Sequence, residues 1–251
     1  GRAMAYPTPT YSLYSVLAEM QDASIVEVPY GEAYELPVEG LLRVQAQLTL
    51  VCSPNNPSAT VAPVDDLDRL AAGLDGVLVV DEAYVDFADQ TAVGLVERHE
   101  NLIVLRTMSK AYSLAGLRLG FAVAQPPLLE GLFKIKDSYN VDSLAIRVGA
   151  AALHDQAWMR ANAGKVRASR AALQRALAEM GFSCLPSQAN FILCRPPAGD
   201  AGRLYRALKE RGILVRYWDR PRLSDMLRIS VGTEEQNQAL LKALRELLPE
   251  A

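Results

Sequence analysis

The chain has 251 residues, half of them hydrophobic, and a formal net charge of −3 from 26 basic and 29 acidic side chains, so it can bury a full core but carries no global field that would draw it to nucleic acid or an anionic membrane. Its three cysteines, Cys52, Cys184 and Cys194, lack CxxC spacing and its two histidines, His99 and His154, are isolated, so no metal centre is expected and a reducing, cytoplasmic setting fits. No apolar run is long enough to span a bilayer, and no GxSxG, P-loop or GxGxxG motif stands out.

In chain order, the first half reads as short apolar runs alternating with helical patterns. Strands are predicted near residues 24–28, in LTLVC at 48–52, in VLVV at 77–80, in LIVLR at 102–106 and again over 119–124, with a helix over about 64–74. Such alternation indicates a largely parallel sheet covered on both faces by helices. From about residue 144 the pattern changes. An Ala- and Arg-rich helix is predicted over 156–180 and ended by Gly181, followed by a strand NFILC at 190–194 and a helix over 203–211 closed by Gly212. Strands ILVRYW at 213–218 and LRISVG at 227–232 and a final helix from Glu234 complete the chain. This is a small α+β unit, and it divides the chain into a larger domain, 1–143, and a smaller one, 144–251. Between Arg195 and Arg228 there are eight Arg and one Lys against four acidic residues. A solvated surface is the ordinary reading of such a run.

In a parallel sheet the loops after the strand C-termini line the binding crevice. Here those loops hold SPNNP at 53–57, DEAY at 81–84 and TMSK at 107–110. Taken singly, each has a bland reading: Asp81 as a helix N-cap, the Asn-Asn-Pro run as a turn, Lys110 as a solvated lysine. Jointly they suit one task. A lysine at the rim of a sheet can condense with a carbonyl cofactor, and pyridoxal phosphate then needs a carboxylate for its ring nitrogen, a role open to Asp81. Asn56 and Tyr84 could donate to the ring's phenolic oxygen, Tyr11 could stack on its face, and Thr107, Ser109 and Arg118 could hold its phosphate.

SPNNP, VVDEAYVDF, RTMSKAYSLAGLRLGF and LRISVGT, in this order, resemble the fold-type I pyridoxal-phosphate aminotransferases, most closely the histidinol-phosphate aminotransferase group, and PTYSLYS at 9–15 matches the same family. The resemblance covers almost the whole chain. It implies an α/β fold with a mainly parallel sheet sandwiched by helices, the larger domain binding the cofactor, and a smaller C-terminal α+β domain. It also implies Lys110 as the catalytic lysine, Asp81 as the pyridine partner, Asn56 and Tyr84 on the phenolic oxygen, Tyr11 on the ring and Arg118 on the phosphate. Arg216 and Arg228 match the family's anion-binding positions, and Asn190 matches a position near the substrate. The implied reaction moves an amino group between L-histidinol phosphate and 2-oxoglutarate in histidine biosynthesis, by a homodimer whose sites lie at the subunit boundary. An aromatic amino acid aminotransferase, a threonine-phosphate decarboxylase and a non-catalytic fragment are the alternatives. Two departures stand out. Ser58-Ala59 replaces the family's usual Thr-Gly, tolerable only if residue 59 need not adopt a positive φ. The family's N-terminal segment, with a phosphate-cradling glycine loop and a tyrosine that reaches the partner's site, has no counterpart, so a fragment of a longer gene product is expected.

Overall fold

A computed structural model describes residues 3–197 and 199–248. The apolar runs of the first half assemble into one sheet: β1 (Ala3–Thr8), β2 (Ser24–Pro29), β3 (Leu48–Cys52), β4 (Val77–Asp81), β5 (Leu102–Thr107) and β6 (Gly120–Ala124). Their spatial order is β2-β1-β3-β4-β5-β6, with the first five parallel and β6 antiparallel to β5. The sequence pattern does not predict β1, whose Pro7 argues against a central strand. Its pairing with β3 is confined to Met4 and Ala5, so Pro7 falls beyond the stretch where that ladder needs a donor.

Successive side chains of a strand leave opposite faces. Leu78 and Val80 of β4 therefore pack on one side, with Leu41 of α2 (Val38–Val44) and Leu67 and Leu70 of α3 (Val64–Gly73), while Val79 packs on the other, with Tyr14 and Ala18 of α1 (Leu13–Met20). Leu41, Leu67, Leu70, Leu78 and Leu102 are fully buried, each contributing roughly 1.5–3 kcal/mol of transfer free energy. Two further helices follow the sheet, α4 (Pro126–Ile135) and α5 (Ser143–His154), and Asp142 caps α5 by accepting from Ala145 N.

A second, smaller core is built on α6 (Gln156–Glu179), closed at Gly181, whose φ of +81° needs no Cβ. A three-stranded antiparallel sheet, β7 (Ser183–Cys184), β8 (Phe191–Arg195) and β9 (Leu227–Ser230), packs against α6, α7 (Ala201–Glu210) and α8 (Glu234–Leu247) around Leu177, Leu204, Ile192 and Leu244. The strand expected over 213–218 does not form. Only Arg216 meets a partner, bridging Arg228 by two backbone hydrogen bonds of 2.9 Å. The segment alternates as a strand would, with Leu214 and Arg216 outward and Ile213, Val215 and Tyr217 against the core, but it lacks a ladder along its length. The solvated reading of the local arginines also needs correcting at Arg222. Its guanidinium donates to Tyr30 O at 2.6 Å and Gly31 O at 2.5 Å and lies 4.7 Å from the Tyr34 ring centroid, tying the smaller unit to the loop after β2.

Ala59 adopts φ +63°, so the condition under which alanine is expected to be tolerable there is not met. Two hydrogen bonds hold it there, Ala59 N to Asn55 O at 2.7 Å and Gln188 N to Ala59 O at 2.9 Å, and its methyl is buried with Ala189, Phe191 and Tyr84. The left-handed conformation costs roughly 1–2 kcal/mol. Burial of the methyl returns about 0.8 kcal/mol, and the stiffer unfolded chain returns about 0.4–1 kcal/mol. Ala59→Gly is therefore expected to leave the urea midpoint close to wild type. Ala59→Val, β-branched and without room, should lower stability by about 2 kcal/mol or more in the same unfolding measurement.

Candidate active site

The C-terminal ends of three parallel strands stand at one level: Cys52 of β3 is in register with Asp81 of β4, and Asp81 with Leu105 of β5. The ladder continues one step past the strands through Ser53 N to Asp81 O and Glu82 N to Leu105 O, both 2.9 Å. The loops that carry Asn56, Tyr84 and Lys110 therefore leave the sheet side by side.

Asp81 has two distinct partners. One carboxylate oxygen accepts from Ala83 N at 3.1 Å, a local turn of the kind a bland reading allows. The other accepts from the Tyr14 hydroxyl at 2.8 Å, across a gap of 67 residues in sequence. Burial above all, and then the neighbouring Cys52 and Asp81, push the Tyr14 hydroxyl far above the ordinary tyrosine range, so it remains a donor. Sequence reasoning missed Tyr14, although PTYSLYS contains it one helical turn after Tyr11. Tyr11 itself is 41% exposed and meets Tyr14 edge to face, with centroids 5.8 Å apart.

Lys110 is half-buried, and its ammonium lies 5.2 Å from the Tyr84 ring centroid. Desolvation first, then the charges of Arg228 and Arg118, hold its pKa below the ordinary lysine value, while Asp81 pulls the other way. Lys110, Asp81, Arg118 and Arg228 thus share one electrostatic environment. The Tyr84 hydroxyl is pushed up to about 12, chiefly by burial, and stays protonated. Its ring stands edge-on to Phe191 at 5.0 Å.

Arg228 joins the two units. It donates from Nη1 to Asn56 Oδ1 at 2.7 Å, with its guanidinium 4.8 Å from the Phe191 centroid and 5.4 Å from that of Trp218. Its Nε is buried with no partner among the described residues. Arg216 is exposed over the Trp218 ring at 5.1 Å. Tyr11, Asn56, Arg216 and Arg228 line a cleft of about 660 Å³; Lys110, Asp81 and Tyr84 are not on its walls and connect to it through Arg228, which borders both.

The remaining predicted residues are placed as follows. The Thr107 hydroxyl is engaged within its own loop, accepting from Ser109 N at 3.1 Å and donating to Leu119 O at 3.5 Å. Arg118 is exposed at φ +55°, its Nη1 donating to Ala115 O at 2.7 Å. Asn190 is half-buried at the head of β8, its carbonyl accepting from Val231 N at 2.9 Å.

The donor set fits an anionic, carbonyl-bearing aromatic ligand such as pyridoxal phosphate. It offers an oriented carboxylate, a hydroxyl that keeps its proton, an amine shifted toward neutrality and a buried guanidinium N–H without a partner.

The family model described as aminotransferase class I and II matches residues 1–244. A histidinol-phosphate aminotransferase of Nostoc sp. is 56% identical over 247 residues, covering 98% of this chain and 70% of that protein. One from Bradyrhizobium diazoefficiens is 43% identical, with 98% and 71% covered. The chain thus spans about 70% of the length of these curated relatives. The crystal structure of histidinol-phosphate aminotransferase from Sinorhizobium meliloti in complex with pyridoxal-5'-phosphate superposes with a TM-score of 0.89 at 26% identity, covering 99% of this chain and 72% of that one.

Acylation of Lys110 followed across pH by peptide mapping is expected to show a midpoint below the ordinary value of 10.5. Arg228→Gln removes a like charge beside the ammonium, which favours the charged form, so the midpoint should rise in that variant.

Proposed function

This chain belongs to the class I and II aminotransferases, and we infer from that membership and from the crevice that it moves an amino group between L-histidinol phosphate and 2-oxoglutarate with pyridoxal phosphate, a step of histidine biosynthesis. The observation that supports this most directly is the half-buried Lys110 amine, lowered in pKa and sharing its surroundings with Asp81 and Arg228.

When bound, the cofactor supplies an aldehyde to carry the amino group and a protonated pyridine ring to take up the electrons released at the substrate Cα. Asp81 would accept the ring N–H, its carboxylate held by Tyr14 and Ala83 N. Asn56 and the Tyr84 hydroxyl would donate to the phenolic oxygen, Tyr11 would cover a ring face, and Thr107, Ser109 and Arg118 would hold the phosphate. Lys110 Nζ would take the proton from the Cα of the amino donor in one half-reaction and place a proton on the carbonyl carbon of the oxo acceptor in the other. Both roles need an amine that can give up its proton, which burial and then the neighbouring guanidinium groups favour. Arg216 and Arg228, with Asn190 nearby, bind the substrate's anionic group. Guanidinium forks suit both the phosphate ester of one half-reaction and the carboxylate of the other.

Three further readings accompany this one. We assign residues 1–143 to the cofactor-binding domain and 144–251 to the smaller domain, supported by the separate core around Leu177 and Leu204. A homodimer is supported by large apolar side chains left in the open within one short stretch of chain, Phe133 at 66%, Ile135 at 81%, Tyr139 at 93% and Leu144 at 67% exposed. The three free cysteines suit the cytoplasm.

Reduction with borohydride after incubation with pyridoxal phosphate should label Lys110. Label spread over surface lysines would overturn the assignment. Histidinol phosphate should outcompete aromatic amino acids as amino donor. Carbon dioxide released from threonine phosphate without an oxo co-product would move the chain to the decarboxylases. Lys110→Ala is expected to lose about 10²–10⁴-fold in kcat. Tyr14→Phe, which deprives Asp81 of one hydrogen bond, should lower kcat about tenfold by steady-state kinetics.

A further inference from the structure

Cys184 and Cys194 lie directly opposite each other on β7 and β8. Leu185 N donates to Leu193 O at 3.0 Å, which makes 185–193 a hydrogen-bonded pair. By the alternation of an antiparallel ladder, 184–194 is then a non-hydrogen-bonded pair, the kind whose Cα atoms stand about 4.5 Å apart with side chains drawn together. A disulfide closes without backbone movement when the Cα atoms are about 4.4–6.8 Å apart. Both side chains leave the sheet on the same face, toward the core around Leu177 and Leu204.

The two thiols are chemically unequal. Cys194 is fully buried, its Sγ 3.6 Å from Leu227 O. Cys184 is half-buried and lies on the edge strand of its sheet. Contact with the Cys194 thiol holds Cys184 below the ordinary thiol value, and contact with Cys184 together with burial raises Cys194. Nothing in the aminotransferase chemistry uses either residue. Cys52, by contrast, has no thiol neighbour across its ladder: it is buried with its Sγ bonded to Pro54 O at 3.3 Å, and burial pushes its pKa up.

We propose that Cys184 and Cys194 are a redox modification site, a cross-strand dithiol that a peroxide converts reversibly to a disulfide, with Cys184 attacking and Cys194 resolving. The Cys184 thiolate attacks one peroxide oxygen and the O–O bond breaks. Cys184 becomes a sulfenic acid, and the departing hydroxide takes up a proton to leave as water. The Cys194 sulfur then attacks the Cys184 sulfur, the S–O bond breaks, and the Cys194 proton leaves with the hydroxyl as a second water. Two thiols and one hydrogen peroxide give one disulfide and two waters: the sulfurs lose two electrons and the peroxide gains them. A dithiol reductant reverses the change by exchange. The bond would pin β7 to β8 and close the loop that carries Gln188, whose N–H holds Ala59 beside the candidate site.

The test treats the intact chain with hydrogen peroxide, removes the excess with catalase, blocks remaining thiols with N-ethylmaleimide in acidic denaturant, and digests with trypsin without reduction. Cys184 and Cys194 fall in one peptide, 176–203, because Arg195 precedes Pro196. That peptide is expected unmaleimidated and two hydrogens lighter than its reduced form, while Cys52 stays blocked, so titratable thiols fall from three to one. Dithiothreitol should restore all three. Cys194→Ser should stop at a sulfenic acid on Cys184 that dimedone traps, and Cys184→Ser should keep both remaining thiols. If a serine variant fails to fold, the mass of the wild-type peptide still decides. Maleimide on both cysteines after peroxide, a dimedone adduct on wild-type Cys184 in place of the disulfide, or a bond to Cys52 or to a second chain would each overturn the proposal.

Discussion

The register of three parallel strand ends is the constraint on which the candidate site depends. Because Cys52, Asp81 and Leu105 stand level, the chain delivers an amide loop, an acid and an amine to one place without any of the three having to reach. A slip of one residue between β4 and β5 would turn every side chain of one strand to the opposite face and separate Asp81 from Lys110. The register is guarded on both sides of the sheet. Leu78 and Val80 are committed to the face covered by α2 and α3, and Val79 to the face covered by α1.

Charge is arranged around this scaffold with a bias. Lys110 has two guanidinium neighbours and one carboxylate, and it is partly removed from water, so its surroundings favour the neutral amine. Arg228 answers for part of that bias and for the link between the two units, since the same guanidinium reaches Asn56 and is flanked by Phe191 and Trp218. A cation between two aromatic faces keeps its charge while losing water, which is the environment in which a bound anion gains most.

The two units are sewn together by groups that would be ordinary elsewhere. Arg222 spends its donors on the carbonyls of Tyr30 and Gly31. Arg170, buried, donates to Phe87 O at 3.2 Å and Ala189 O at 2.8 Å. Ala59 accepts a left-handed backbone because Asn55 and Gln188 hold it and its methyl fills a space beside Phe191. These contacts join the loop after β3, the loop before β8 and the loop after β2 around the cleft.

The sequence alone determined the elements whose signal is local. The runs at 48–52, 77–80 and 102–106 appear as β3, β4 and β5, the Gly181 stop ends α6, and the motif residues fall in loops at the strand ends, because burial on both faces and left-handed caps leave their mark on neighbouring residues. Tertiary structure alone decided what depends on distant partners. β1 is central despite Pro7 because its pairing with β3 stops short of it. Residues 213–218 alternate like a strand yet are bridged at one residue. Tyr14 belongs with Asp81 only once α1 is laid on the sheet, and the opposition of Cys184 to Cys194 follows from a strand register that cysteine spacing does not encode. Hydrophobic period and turn chemistry are properties of adjacent residues; who meets whom across a sheet is a property of the assembled chain.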